Sequence, residues 1–505
     1  MLRKFPATLF FIVAETAFVF AQQLYVRPVD DSLIRNDCDD ISRPCTLRRA
    51  LYVAADGDEL VLQEGNYTAV SGWIADVNDS VTLTGGWDGV DRTPLNIDPE
   101  NHPSIIDGNN STAGLRIEPQ KDVTIRGVTF ARCRSDENGS ALYDFNATAL
   151  HLLNDIFTDN RVDSSDARRY GGAVFISGGT LDINESNFTG NAVRAASNAY
   201  GGAIYALETN GMIGHSSFTG NSAWNGNAVS WESWDTAAES VTILESTFRN
   251  NGKNVGGTLG GYGTVQGVDI NVTVAESLFE DNFVYNKGAG MYFRGQPQLK
   301  AVVKNSFFRA NRNNNSQSYN DILEIGSYGE VAVFNNVFTG NTVGTDTNAS
   351  IVVLNDVDRW NDGTAVFDYN TVSANDAANS VRINGVAYVW MQNNILSDSV
   401  AAVYVDSRAH VSAYYNNLDR NVTTRFSGSG SIDDEKNSVT GDPRFADDGW
   451  HLRAGSAAID KGECIRLTGE DAEGDRRPFG KGCDIGADEF TGPVPMPGLI
   501  MYLLN

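Results

Sequence analysis

The sequence predicts an all-β chain wound into a right-handed parallel β-helix, a solenoid that opens on a short N-terminal capping helix. Three observations predict it: a motif that returns about every 30 residues, glycine pairs that keep pace with the motif, and short alternating or β-branched stretches between them.

The motif is a small polar residue, any residue, Phe, two residues, then Asn. It runs as Asp155-Ile156-Phe157-Thr158-Asp159-Asn160, Ser186-Asn187-Phe188-Thr189-Gly190-Asn191 and Ser216-Ser217-Phe218-Thr219-Gly220-Asn221, and returns at Phe248/Asn251 and Phe279/Asn282. It continues at Phe308/Asn311 and Phe338/Asn341, then weakens to Val372/Asn375, Leu396/Ser399 and Leu418/Asn421. From Phe157 to Phe338 the steps between aromatic positions are 31, 30, 30, 31, 29 and 30 residues. Phe is expected to face inward and stack on its equivalent one coil away, about 4.8 Å along the axis. Asn is expected to take a left-handed turn and to hydrogen-bond to the Asn above and below. A feature present in every coil cannot mark one site, so these residues are structural.

The glycine element is Gly171-Gly172-Ala173-Val174, Gly201-Gly202-Ala203-Ile204, Gly256-Gly257-Thr258-Leu259 and Gly288-Ala289-Gly290-Met291. It supplies turns with positive φ. Strand-like segments such as Thr180-Leu181-Asp182-Ile183 and Val241-Thr242-Ile243-Leu244 fill the intervals. A helical solenoid of similar period would need long 3.6-periodic stretches, which the density of Gly, Asn, Ser and Thr forbids.

The repeat makes one elongated domain of a 505-residue chain that length alone would divide in about three. Hydrophobic residues at 41% and aromatics at 10% suffice for a long core despite a net charge of -26. That charge repels nucleic acid and anionic membranes. Arg3 and Lys4, the apolar stretch Leu9 to Val13, and Val19-Phe20-Ala21 before Gln22 read as a signal peptide over residues 1–21, the rival being a buried first strand or helix. No other stretch approaches the roughly 20 apolar residues of a membrane span. The expected location is therefore secreted or at the cell surface.

Five cysteines fall as Cys38 with Cys45, Cys464 with Cys483, and Cys133 alone. Exported context makes two local disulfides the expectation, with Cys133 a buried small hydrophobe. A metal site is the rival for the four outer cysteines, but neither pair has C-x-x-C spacing.

Both ends of a parallel stack need covering. Pro44-Cys45-Thr46-Leu47-Arg48-Arg49-Ala50-Leu51 reads as a capped helix whose Leu47, Ala50, Leu51 and Ala54 share one face. It resembles the C-S-L-R-E-A-I type opening of bacterial β-helix proteins, departing at Thr46, Arg49 and Leu51. At the far end, Gly441-Asp442-Pro443-Arg444-Phe445, Trp450-His451-Leu452, Gly455 to Gly462, then Asp471, Gly474, Arg477-Pro478 and Asp484-Ile485-Gly486-Ala487-Asp488-Glu489-Phe490 resemble the terminal segment of the choice-of-anchor Q family. The Phe-x-x-Asn and Gly-Gly-Ala coils are similar to those of polymorphic outer-membrane proteins, without the C-terminal strands of an autotransporter barrel. These resemblances imply the pectin-lyase-like fold and an exported bacterial protein, and they imply no defined reaction. The expected division is signal peptide 1–21, cap 22–56, coils 57–440, C-terminal segment 441–490 and tail 491–505. The tail reads equally as the start of a sorting signal or as a frayed apolar terminus.

Polysaccharide chemistry on such a fold needs charged residues from adjacent coils to converge on one outer face. The nearest local set is Asp163, Asp166, Arg168 and Arg169, for which a solvated loop is the simpler reading. Neither a catalytic set nor a cofactor motif emerges. Calcium is the one ion the residue types admit, through Asp442, Asp447 and Asp448, although Asp442-Pro443 reads as a turn and the EF-hand pattern is missing. His102, His151, His215, His410 and His451 have no metal-ligand spacing. Trp224, Trp231 and Trp234, with Glu232 and Asp235 alongside, suit sugar binding. The competing reading is that an indole fills the core, since 231 and 234 face opposite sides of a regular strand. The leading function is a non-catalytic adhesin or scaffold for an extracellular glycan or host matrix. The alternatives are a polysaccharide lyase or glycoside hydrolase, and a surface-layer component.

Overall fold

The computed structural model describes residues 21–28, 37–165, 168–195, 198–234, 239–252, 262–314, 320–344, 346–357, 365–385, 387–419, 424–464 and 469–492. They form a parallel β-helix. Residues 1–20 of the expected signal peptide, the Gly256 to Leu259 instance of the glycine element, Asp166, Asp235 and residues 493–505 lie outside the described residues.

Each coil contributes one strand to each of three long parallel sheets, as in Thr180–Asn184, Asn187–Thr189 and Ile204–Leu207. Among the described residues the first sheet has 15 strands, from Gln23–Val26 to Ser431–Lys436. The second and third have 13 each, starting at Gly65–Tyr67 and Trp73–Val77. The register is that of the repeat: Phe157, Phe188, Phe218, Phe248, Phe279, Phe308 and Phe338 are direct partners from coil to coil. Their rings stack inside the solenoid with centroids 4.6 to 5.0 Å apart, and Phe130 extends the stack by one coil. That spacing equals the strand repeat, so stacking and ladder reinforce one another.

The asparagines form a buried ladder beside this stack. Asn191 Nδ2 donates to Asn221 Oδ1 at 3.0 Å and to the carbonyl of Phe157 at 2.9 Å, and the pattern repeats through Asn221, Asn251, Asn282 and Asn311. The left-handed turn falls one residue earlier than the sequence suggests, on Asp159, Gly190, Gly220, Asn250, Asp281, Ala310 and Gly340. The reason is direction: the ladder Asn must point inward to meet its neighbours, and the residue before it turns the chain.

The glycine pair has two separate causes. Gly171 has φ +65°, and a Cβ at Gly172 would stand 2.0 Å from the carbonyl oxygen of Gly202 in the next coil.

At the N-terminal end, Leu47–Val53 is the helix, with Thr46 as its cap and Leu47, Ala50 and Leu51 buried. Arg48 ties it to the carbonyls of Ile74 and Trp73. The Cys38–Cys45 disulfide, with Cα atoms 5.3 Å apart, closes the loop that covers the outermost strand. Tyr25 N donates to Cys38 O, and Cys45 N to Tyr25 O, both at 2.8 Å. Cys464–Cys483 is the second disulfide. Cys133 is free and buried, its thiol pushed up to about 12 by burial.

After the last coil the chain runs back along the outer face of the second sheet. There the residue before each stacked Phe changes character: Asn187, Ser217 and Thr247 on earlier coils give way to Leu278, Phe307 and Val337. Trp450, Ala472 and Ala487 cover the apolar three, and Leu452, Ala458 and Ile485 cover Ile395. Arg477 is buried within this segment against Glu489 at 3.1 Å, with its guanidinium 4.4 Å over the Tyr369 ring. Asp471, Asp484, Asp488 and Glu489 accept hydrogen bonds from backbone amides. The Asp and Arg positions of this terminal segment therefore hold its own loops together.

Candidate functional surface on the third sheet

On a strand buried on one face, alternate residues point outward. Successive third-sheet strands bring Asp76, Arg116, Tyr143, Phe175, Tyr205 and Ser230 into one outward column. Phe175 and Tyr205 each follow directly on the Gly-Gly-Ala element, so the same turn that closes the coil presents an aromatic ring. Tyr143 stacks on Phe175 with centroids 5.2 Å apart and planes at 12°, Phe175 meets Tyr205 at 5.9 Å, and Trp73 lies tilted 6.1 Å from Tyr143. Tyr170 and Tyr200, from the short strands flanking the column, pack on Tyr205 at 4.4 and 6.2 Å. Tyr205 and Phe175 are buried, whereas Trp73, Tyr143, Tyr170 and Tyr200 are half-buried.

Beside this column opens a cavity of about 700 Å³, lined by Trp73 and Arg116 from the sheet and by Asn110, Arg134, Glu137 and Asp163 from the adjoining corner. Three charged residues of its lining, Arg116, Arg134 and Asp163, are ion-paired. Arg116 contacts Asp76 at 2.9 Å, while Asp163 takes Arg134 at 2.8 Å and Arg161 at 2.6 Å. The sequence-predicted set is thereby divided: Asp163 lines the cavity, and Arg169 bonds its Nε to the Asp136 carbonyl.

At the other end of the column Glu232 is buried and accepts hydrogen bonds from Tyr205 Oη at 3.0 Å and Ser230 Oγ at 3.3 Å. Burial raises its carboxyl above the usual range, opposed by the hydrogen bonds from Tyr205, Trp234 and Ser230 and by the nearby charge of Arg168. Burial and the Glu232 charge raise the Tyr205 phenol in turn.

The three tryptophans do not share a face. Trp231 points into the solenoid, 1% exposed, opposite Gly267 in the next coil, and donates Nε1 to the Thr209 carbonyl at 2.5 Å. No ligand reaches it there. Trp224 is half-buried against Val162, Val193 and Ala223, and Trp234 is exposed at 63% next to Glu232. Sequence reasoning missed Trp73, Arg116, Arg134 and Tyr143. The signal for part of the column was the aromatic residue directly after three of the four glycine elements, Phe175, Tyr205 and Tyr292.

The remaining candidates are spread over the molecule. Asp442 caps Arg444 N, Asp447 pairs with Arg453 and Asp448 with His451, so these carboxylates do not converge. Among the described residues no group of three His, Cys, Asp or Glu side chains is placed to hold a metal ion. All five histidines contact carboxylates: His102 with Glu64, His151 with Asp182, His215 with Glu245, His410 with Asp433, and His451 with Asp448 and Glu473. Among the described residues no helix is long and apolar enough to cross a membrane.

No protein-family model matches the chain, and no curated protein matches it. Among solved structures the chain aligns with the pectate lyase Pel9A over 93% of its own length and 96% of that protein's, at 14% identity and a TM-score of 0.34. A likeness at that level bears on neither activity nor substrate. The parallel β-helix stands on the three sheets themselves.

Proposed function

We propose that this chain is an exported surface or secreted protein, a non-catalytic β-helix scaffold of the adhesin type that binds an extracellular glycan or matrix through the outer face of its third sheet. The observation that carries the reading is the half-buried aromatic set Trp73, Tyr143, Tyr170 and Tyr200, packed on the buried Phe175 and Tyr205, beside a cavity in whose lining Arg116, Arg134 and Asp163 are ion-paired. Aromatic faces held rigid next to paired charges offer sugar rings a stacking surface with hydrogen-bonding edges. Trp234, exposed beside Glu232 at the end of the third-sheet strand Val229–Glu232, extends the same surface.

Export is supported by the basic, apolar and small-residue order of residues 1–21 and by the two disulfides. The resemblance of residues 441–490 to choice-of-anchor Q proteins, and of the coils to polymorphic outer-membrane proteins, supports a surface role. The proposal keeps residues 22–56 as a cap, 57–440 as coils and 491–505 as a tail.

The test is a screen of polyuronates and neutral glycans, read for binding, unsaturated products and new reducing ends. Trp73→Ala and Tyr143→Ala should each weaken binding about fivefold, the equivalent of roughly 1 kcal/mol per stacked ring, with little change in melting temperature. The second reading, a lyase or hydrolase, is favoured by the raised carboxyl of Glu232 beside Arg168. Steady turnover that Glu232→Gln abolishes would establish that reading in place of the scaffold.

A further inference from the structure

We infer that the chain carries a second ligand site, a groove on the outer face of the first sheet that takes a neutral or amino-sugar glycan. Repetition makes most of the molecule uniform, so the departure from it is informative. At the corner between first and second sheets, two residues separate Asn184 from Asn187, whereas Trp87 and Ser104 are joined by residues 88–103. This long loop is firmly built. Ile97 pairs antiparallel with Trp87, Trp87 Nε1 donates to the Val90 carbonyl at 3.2 Å, and Asp98 N donates to Gly86 O at 2.8 Å.

Folded back in this way, the loop stands as a wall over the sheet and encloses a cavity of about 730 Å³. That volume lies within the range of ligand sites. Its floor is a connected polar set. Glu59 accepts from Gln23 Nε2 at 3.0 Å, Thr84 Oγ1 at 2.6 Å and Arg126 Nη2 at 2.5 Å, and Arg126 Nε donates to Thr84 at 2.8 Å. Arg126 thus commits Nε and Nη2 to the floor and lines the groove. The wall adds the carboxylate of Asp91 and the apolar side chain of Leu95. Tyr25, tilted on Trp87 at 5.6 Å, supplies an aromatic edge.

Carboxylate and guanidinium side by side, next to an aromatic and an aliphatic surface, match a ring that carries both hydroxyl donors and acceptors and has one apolar face. Charge narrows the class. Arg92 is paired with Asp88, so Glu59 and Asp91 outweigh Arg126, and the groove disfavours uronates. Peptide recognition by strand addition is closed off, because the strand Glu59–Gln63 is hydrogen-bonded on both sides and the outermost strand is covered by the disulfide loop. The site is on a different sheet from the aromatic column and stands or falls independently of it.

The experiment titrates the full chain with chitohexaose, cellohexaose, hexagalacturonate and hexalysine, with hydroxyl-radical footprinting at saturation. Binding of a neutral hexasaccharide should protect Tyr25 and Leu95. Asp91→Ala, on the exposed loop, should weaken that binding about tenfold, while Trp73→Ala leaves protection at Tyr25 and Leu95 unchanged. Hexagalacturonate should bind at least tenfold more weakly. The inference is overturned if neither neutral sugar protects these residues, if hexalysine protects them instead, or if hexagalacturonate is preferred.

Discussion

Trp450 stands edge-on against Phe307, ring centroids 5.3 Å apart and planes at 69°. Through this contact a segment that begins after the last coil is sealed to the outside of the second sheet, more than a hundred residues back along the chain. Trp450→Ala removes the largest side chain from that seal and should cost about 3–5 kcal/mol by denaturant melting. Limited proteolysis should then cut within residues 441–490 before it cuts the coils. Coils and segment becoming labile together would instead show that the segment is an integral part of the core.

This seal shows what was legible in the sequence and what was not. The stacked Phe and ladder Asn residues occur in coil after coil, so their period exposes them. The switch from Asn187, Ser217 and Thr247 to Leu278, Phe307 and Val337 was also on the page, but it breaks the repeat and means nothing until a covering segment is found. The aromatic column was hidden for a related reason. Its residues point outward, where no inward packing constrains them, and Trp73, Arg116 and Tyr143 share no sequence motif. Local tryptophan density drew attention to Trp231, whose indole is buried in the core on a strand position in register with Gly267.

The ladder makes a second prediction. Asn251 Oδ1 accepts from the backbone and side chain of Asn221, and its Nδ2 donates to Phe218 O and Asn282 Oδ1. Asn251→Ala takes one buried partner from each of Asn221 N, Asn221 Nδ2, Phe218 O and Asn282 Oδ1, at about 1–3 kcal/mol for each bonding position that water cannot reach. The total should exceed 3 kcal/mol in a denaturant titration. Ser217→Ala, on the outer face, should change stability by less than about 0.5 kcal/mol.

Ala310 offers the opposite sign. It occupies the left-handed corner with φ 55°, where equivalent coils place Gly190, Gly220 and Gly340. An L-residue with a Cβ costs roughly 1–2 kcal/mol in that conformation, and glycine's extra chain entropy returns about 0.5–1 of it. Ala310→Gly should therefore raise stability by about 0.5–1 kcal/mol. A lower melting temperature for this variant would show that the strain reading of the corner is mistaken.

The pH dependence follows from groups shifted upward and groups shifted downward. His451, held between Asp448 and Glu473, is raised by these hydrogen bonds to about 10 despite its burial, so its stabilisation is complete below the ordinary value near 6.5 and is lost as pH rises through 10. Burial raises Asp144, Asp368, Asp484 and Asp488 to about 7, so their contribution is complete below 3.8 and declines as pH climbs through 7. Against burial, which raises them, Asp448, Glu59 and Asp107 are lowered by their combined hydrogen bonds and ion pairs, and their contribution is lost when acid protonates them below the usual carboxylate range. Melting temperature should peak in mild acid and fall between pH 5 and 9; a maximum at pH 8 or above would contradict the assignment.

Asp144 permits the sharpest test of that account. It sits on the inward side of its third-sheet strand, in register with Ile117 and Ile176, and among the described residues neither of its carboxyl oxygens has a hydrogen-bond partner. Burial alone accounts for its shift to about 7. Ionising such a group inside an apolar column costs the fold on the order of 4 kcal/mol at pH 8, and much less at pH 5, where the carboxyl keeps its proton. Asp144→Val fills the position with an apolar side chain of similar size that has no charge to bury. The variant should be more stable than the parent at pH 8, and the difference should shrink markedly at pH 5. Denaturant melts of both chains at the two pH values measure this directly. Equal effects at both would mean that Asp144 does not titrate in this range, and destabilisation at both would mean that its carboxyl has a partner in solution that holds it in place.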